Sequence, residues 1–170
     1  MILFSCTYIG ARLFSQGNGM KTCFIGHRKV WAEDVNKKLD EAIKAEYDSG
    51  CRKFIVGTHG NFDHFALYAC KRLRKTCNNI DIEVVITSLN AIKKRNDEYD
   101  PVPYADVKTV MYEIEEAHFK QQIILSNRQM IDECDVLICY VDTDKYVSGA
   151  KRALRYAEKK GLKIINLFNA

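Results

Sequence analysis

Short apolar runs that end at a glycine or a polar turn alternate along residues 20–168 with longer stretches whose apolar side chains recur at helical spacing. Thr22–Ile25 ends at Gly26, and Lys53–Val56 ends at Gly57. Ile82–Thr87 reads as a third strand, Val107–Tyr112 as a fourth and Lys163–Phe168 as the last. Val136–Val141, VLICYV, is the most apolar run and the expected central strand. Between them, Ala32–Ser49 places Val35, Leu39, Ala42, Ile43 and Tyr47 on one helical stripe, with Gly50 as the stop. Phe62, Phe65, Ala66, Ala69 and Leu73 mark a second helix, and Ile123–Glu133 a third. Val147–Lys160 is the last helix, with Ala150, Ala153, Leu154 and Ala157 facing inward and Gly161 at its end. Residues 93–104 contain both prolines and read as a loop. Strands separated by helices of about ten or more residues require crossover connections, hence a parallel sheet with helices on both faces. The expected fold is α/β: a single Rossmann-like, doubly wound, mostly parallel sheet.

Size and charge narrow the functional classes. A chain of 170 residues is about one domain, and 47% hydrophobic content beside 28% charged residues supports a buried core under a soluble surface. The net charge of +4 is too slight to announce a nucleic-acid binder. No apolar run approaches the roughly 20 residues that span a bilayer, so no membrane partner is expected. Residues 1–19 lack a basic leader, are interrupted by Arg12 and end in Gln16-Gly17-Asn18-Gly19. They are expected to be an N-terminal extension to a domain over residues 20–170. The seven cysteines, Cys6, Cys23, Cys51, Cys70, Cys77, Cys134 and Cys139, show no CxxC spacing. They read as free, mostly buried small hydrophobes in a reducing cytoplasm.

In a sheet of this type ligands sit beyond the carboxyl ends of the strands. Gly26-His27-Arg28 follows the first strand, Gly57-Thr58-His59-Gly60-Asn61-Phe62-Asp63 the second, and Asp142–Ala150 the run VLICYV. Glycine permits close backbone approach, and the N–H groups at the start of the following helix favour a phosphate. Arg28 could fork onto that phosphate. His27 reads as an acid–base group or as a hydrogen-bonding cap of its loop, and Asp63 as an acceptor for ribose hydroxyls or as a helix cap. His59 and His64 lack a consistent set of metal-ligating partners, and Asp142 and Asp144 read as solvated loop carboxylates, so no metal and no cofactor is expected. The basic runs Lys71–Lys75 and Lys151–Lys160 read as solvated helix faces. They lack the aromatic interleaving of single-strand platforms, which leaves nucleic-acid binding a minor alternative.

Lys21–Arg28 (KTCFIGHR), Gly57–Asp63 (GTHGNFD), Asn127-Arg128-Gln129-Met130 and Ser148-Gly149-Ala150 together resemble the SLOG superfamily. Within it the chain is most similar to the small bacterial GHR proteins of the YspA/YpsA-like group, over residues 20–168. The resemblance implies a Rossmann-like fold that binds nucleotides or nucleotide-derived ligands. It assigns ligand contacts to Gly26, His27, Arg28, Gly57, Thr58, Gly60, Asp63, Asn127, Arg128, Ser148, Gly149 and Ala150. Arg128 corresponds to an arginine that precedes the same strand in the LOG phosphoribohydrolases of the superfamily. It is expected to point towards the strand ends, the competing partner being Asp132. The LOG enzymes also carry PGGxGTxxE, whose glutamate serves N-glycosidic hydrolysis. Here Tyr146-Val147-Ser148-Gly149-Ala150-Lys151-Arg152-Ala153-Leu154 keeps one glycine of that turn and has no glutamate. Binding or sensing of a nucleotide is therefore the expectation, with no catalytic residue assigned. The alternative is a nucleoside-monophosphate N-glycosidase drawing on Glu113, Glu115 or Glu116. A homodimer is the assembly to test.

Overall fold

Six strands and four helices occur among the residues that the computed structural model describes, 19–87, 107–111, 114, 117–144 and 148–168. In chain order they are β1 (Lys21–Gly26), α1 (Ala32–Asp48), β2 (Lys53–Val56), α2 (Asn61–Thr76), β3 (Asp81–Ile86), β4 (Lys108–Met111), α3 (Phe119–Glu133), β5 (Val136–Tyr140), α4 (Gly149–Lys160) and β6 (Lys163–Asn166). The residues before 19, the proline loop at 93–104, Glu113, Glu115, Glu116, Tyr146 and Val147 lie outside the described residues. The strands form one sheet in the order β4-β3-β2-β1-β5-β6. Every pairing in it is parallel, stricter than the mostly parallel sheet expected.

Alternation along the strands divides the core. Phe24, Phe54, Val56, Ile82, Val84 and Ile138 pack with Val35, Leu39 and Ile43 of α1 and Phe62 and Ala66 of α2. Their neighbours Cys23, Ile25, Ile55, Val85, Leu137 and Cys139 pack on the other face with Met130 and Ile131 of α3 and Ala150, Ala153, Leu154 and Ala157 of α4. A strand covered on both sides has no polar position to spare, which is why VLICYV is apolar throughout. The sheet is thus doubly wound, as the periodicity predicts.

Glycine ends two helices by backbone geometry. Gly50 and Gly161 have φ of 102° and 75°, values that L side chains rarely adopt. In each case two crossed hydrogen bonds close the terminus: Gly50 to Tyr47 and Cys51 to Glu46, then Gly161 to Glu158 and Leu162 to Ala157. Two helix starts differ from expectation. α3 begins at Phe119 rather than Ile123, because the His118 carbonyl accepts from the N–H groups of Gln121 and Gln122 at 2.7 and 3.0 Å. That first turn is exposed, so apolar periodicity does not reveal it. α4 begins at Gly149 rather than Val147, because Ser148 caps it.

Candidate functional site

The chain lays β2, β3 and β4 successively to one side of β1, then returns to place β5 and β6 on the other. The order of strands therefore reverses between β1 and β5, and the crevice beyond their carboxyl ends is the place such a sheet offers a ligand.

His27 joins the two sides of that crevice. Its backbone N–H donates to the Tyr140 carbonyl at 3.2 Å, and its Nε2 accepts from the Asp142 N–H at 2.9 Å. An accepting Nε2 must be unprotonated, so the imidazole here serves as a loop clamp. Asn166 braces the same strand end from β6. Its Oδ1 accepts from the Val141 N–H at 3.1 Å and its Nδ2 donates to the Val141 carbonyl at 2.9 Å.

The turn from β2 to α2 is packed against its surroundings. A methyl group on Gly60 would lie 2.8 Å from the Cα of Arg28, and one on Gly26 would lie 2.3 Å from the Phe62 ring. The Asn61 N–H donates to the Arg28 carbonyl at 3.0 Å. Thr58 donates its hydroxyl to the Val85 carbonyl at 3.2 Å, and the Asp63 Oδ2 accepts from the His59 N–H at 2.6 Å. A Cβ at Gly57 would sit 3.1 Å from that same carboxylate oxygen. Four candidates, Gly57, Thr58, Gly60 and Asp63, thus have intramolecular duties in fastening this turn.

The turn from β5 into α4 is built differently. Ser148 Oγ accepts from the Lys151 N–H at 3.0 Å and its carbonyl from the Arg152 N–H at 3.1 Å. Ala150 is buried against the sheet. Among the described residues, a Cβ on Gly149 would meet nothing within 4 Å beyond its chain neighbours and its own helix backbone, and its φ is not positive. Among the described residues, neither packing nor backbone conformation requires glycine there.

The structure brings Gly26, His27, Arg28, Gly57, Thr58, Gly60 and Asp63 together at the carboxyl ends of β1 and β2, with Ser148, Gly149 and Ala150 at the start of α4. Arg128 does not join them. It is the tenth residue of α3, about 13 Å along the helix from Phe119 at roughly 1.5 Å per residue. Its guanidinium carbon lies 5.4 Å from the centroid of the Tyr156 ring on α4. Asp132, the alternative partner, instead accepts from the Tyr156 hydroxyl at 2.9 Å and pairs with Lys160 at 2.6 Å. Arg128 therefore stitches α3 to α4, a role that the i,i+4 spacing did not show. Asn127 beside it is half-buried.

Two aromatic residues near the carboxyl edge lie outside the sequence motifs. Phe119, 53% exposed, has the Arg28 guanidinium carbon 5.9 Å from its ring centroid and the His59 ring 6.5 Å away, edge-on at 79°. Trp31, the sole tryptophan of the chain, is 81% exposed immediately before α1. The one sequence signal for Phe119 is an aromatic opening an otherwise polar helical turn.

Other chemistries find less support. Among the described residues no group of three or more His, Cys, Asp or Glu could hold a metal ion. Burial pushes the Cys139 thiol up to about 12 and raises those of Cys51 and Cys70, so these sulfurs are poor nucleophiles. A cleft of about 620 Å³ opens at the opposite, amino edge of the sheet, lined by Lys21, Arg52, Lys53, Arg74 and Asp81 among others. Two of its cations are already engaged. Lys53 pairs with Glu83 at 2.8 Å, and Arg52 donates to the Tyr47 and Cys51 carbonyls at 2.7 and 2.8 Å. Among the described residues no helix is long and apolar enough to cross a membrane. No protein-family profile matches the chain, and comparison with curated proteins gives no match.

Proposed function

We propose that the protein binds a nucleotide or nucleotide-derived ligand across the carboxyl ends of β1 and β5. The observation that carries this reading is Gly149. It opens a helix of twelve residues beside the point where the strand order reverses, and among the described residues no atom beyond its chain neighbours and its own helix backbone lies within 4 Å of where its side chain would begin. The positive end of the α4 dipole and the first-turn N–H groups favour a phosphate there, and the missing Cβ lets it approach the backbone. Arg28 is exposed and makes no ion pair among the described residues, so its guanidinium is available to a phosphate from the β1 side. The SLOG resemblance points to the same ligand class. Binding rather than hydrolysis is favoured, because Lys151, Arg152 and Ala153 follow Gly149 where the hydrolytic relatives carry a glutamate.

A thermal-shift screen of mono-, di- and cyclic nucleotides, NAD-type dinucleotides and ADP-ribose tests the reading. A ligand at about 100 times its dissociation constant should add roughly 2.7 kcal/mol of stability. A flat screen followed by calorimetry without heat overturns it.

A further inference from the structure

We infer that Phe119 is the platform on which the base of the bound nucleotide stacks, an inference that rests on the nucleotide-binding reading above. Phe119 is the first residue of α3, and the His118 carbonyl fixes that helical turn by accepting from Gln121 and Gln122. Phe119 remains 53% exposed, although phenylalanine is among the residues most often buried. The His59 ring supports it edge-on, with centroids 6.5 Å apart. The face towards Arg28 is only loosely covered: a guanidinium carbon 5.9 Å from the centroid stands at the outer limit of a cation–π contact.

A planar base at stacking distance would take that face from Arg28 and use the ring more fully. The displaced guanidinium keeps its planar fork and can turn to the phosphate of the same ligand. Arg28 cannot withdraw far, because its Cα abuts Gly60 and its carbonyl accepts from Asn61. Three elements thus supply three parts of one recognition surface: α3 the stacking ring, the β1 loop the guanidinium, and the start of α4 the anion site. Stacking needs only a π-face, so the site should accept any base, prefer the larger purines, and discriminate against a sugar phosphate without a base.

The test is calorimetric titration of the wild type, Phe119→Ala and Phe119→Tyr with AMP, GMP, CMP and UMP, and with ribose 5-phosphate. The expected result is tighter binding of purine than pyrimidine monophosphates by the wild type. Phe119→Ala should weaken AMP binding about tenfold, leave ribose 5-phosphate binding unchanged and melt near the wild type, while Phe119→Tyr retains AMP binding. Unchanged AMP affinity in Phe119→Ala overturns the stacking role and leaves the nucleotide reading standing. Equal loss of AMP and ribose 5-phosphate affinity also overturns it, since the ring then acts on the phosphate site. If the wild type binds none of the four monophosphates the inference fails, and the underlying reading survives only where a di- or cyclic nucleotide, an NAD-type dinucleotide or ADP-ribose binds.

Discussion

The turn after β2 and the turn after β5 look alike in sequence, each carrying glycine between an apolar strand and a helix, yet they use glycine for opposite reasons. At Gly57–Asp63 the space a side chain would occupy is filled by the protein itself: the Arg28 backbone lies against Gly60 and the Asp63 carboxylate against Gly57. The polar groups of that turn are also spent internally, Thr58 on Val85 and Asp63 on His59. At Ser148–Ala150 the Ser148 hydroxyl and carbonyl serve the first turn of α4, and among the described residues the side of Gly149 is open. A glycine held by a neighbour reports packing, whereas one facing empty space at a helix N-terminus leaves room for a ligand. Spacing of glycines in sequence cannot separate the two; the identity of the atom a methyl group would strike can.

If that contrast is right, Gly60→Ala gives the largest effect. Gly60 has an extended backbone with φ of −161°, so alanine brings no dihedral strain there. The methyl instead strikes backbone that cannot rotate away, and overpacking of this kind should cost about 2–3 kcal/mol. A denaturant melt reads the loss, and wild-type stability in Gly60→Ala would break the comparison.

Acid should loosen the β2 side of the sheet, where one buried carboxylate holds lysines of two neighbouring strands. On the β2 side, Glu83 is buried in β3 between Lys53 at 2.8 Å and Lys108 at 3.1 Å. Burial works to raise its carboxyl, but the two lysines outweigh it and hold it below the ordinary glutamate range. A depressed folded-state value means that Glu83 stabilises fully above the unfolded glutamate value of about 4.3. That contribution is lost as pH falls through the lower folded value. On the β5 side the Asn166 amide ties β5 to β6 without titrating, while Lys163 of β6 pairs with the buried Glu46 of α1 at 2.6 Å. Hydrogen exchange below about pH 4 should therefore speed up at the β3 and β4 amides of the wild type and much less in Glu83→Gln. Glu83→Gln should cost roughly 1–2 kcal/mol at neutral pH and flatten the acid dependence, since both lysines can reach water once unpaired. An acid dependence unchanged in Glu83→Gln would contradict this assignment.

A smaller effect belongs to the open turn. Ser148→Ala removes the acceptor for the Lys151 N–H and should cost about 1 kcal/mol, the usual worth of a serine cap. If it costs nothing, the start of α4 is not fixed in the way a phosphate site at that terminus requires.

Much of the scaffold is legible in the sequence because burial on both faces leaves a plain signature. VLICYV, KFIV and the alanine stripe of α4 read directly as interior positions, and Gly50 and Gly161 as helix stops. The site is less legible, for identifiable reasons. Glycine at position 60 looks like a ligand contact in sequence, but its partner is Arg28, thirty-two residues earlier, and such a contact leaves no local trace. Arg128 and Tyr156 meet only because α3 and α4 lie side by side on one face, so i,i+4 arithmetic offered Asp132 instead. Phe119 escaped because its turn carries no apolar period. The carboxyl edge of the sheet is itself legible, since it follows from the order of elements rather than from any one residue.

The most direct test of the account concerns Gly149→Ala. Because that position is open and its φ ordinary, alanine should leave the apo melting point unchanged or raise stability by a few tenths of a kcal/mol, as expected where glycine is not structurally needed. Calorimetric titration of the wild type and this variant, with the panel nucleotide that gives the largest thermal shift, then isolates the ligand's demand for the empty space. The account predicts clear binding by the wild type and at least tenfold weaker binding by Gly149→Ala, about 1.4 kcal/mol, with stability intact. Equal affinity in the two proteins would show that no phosphate lies against the start of α4.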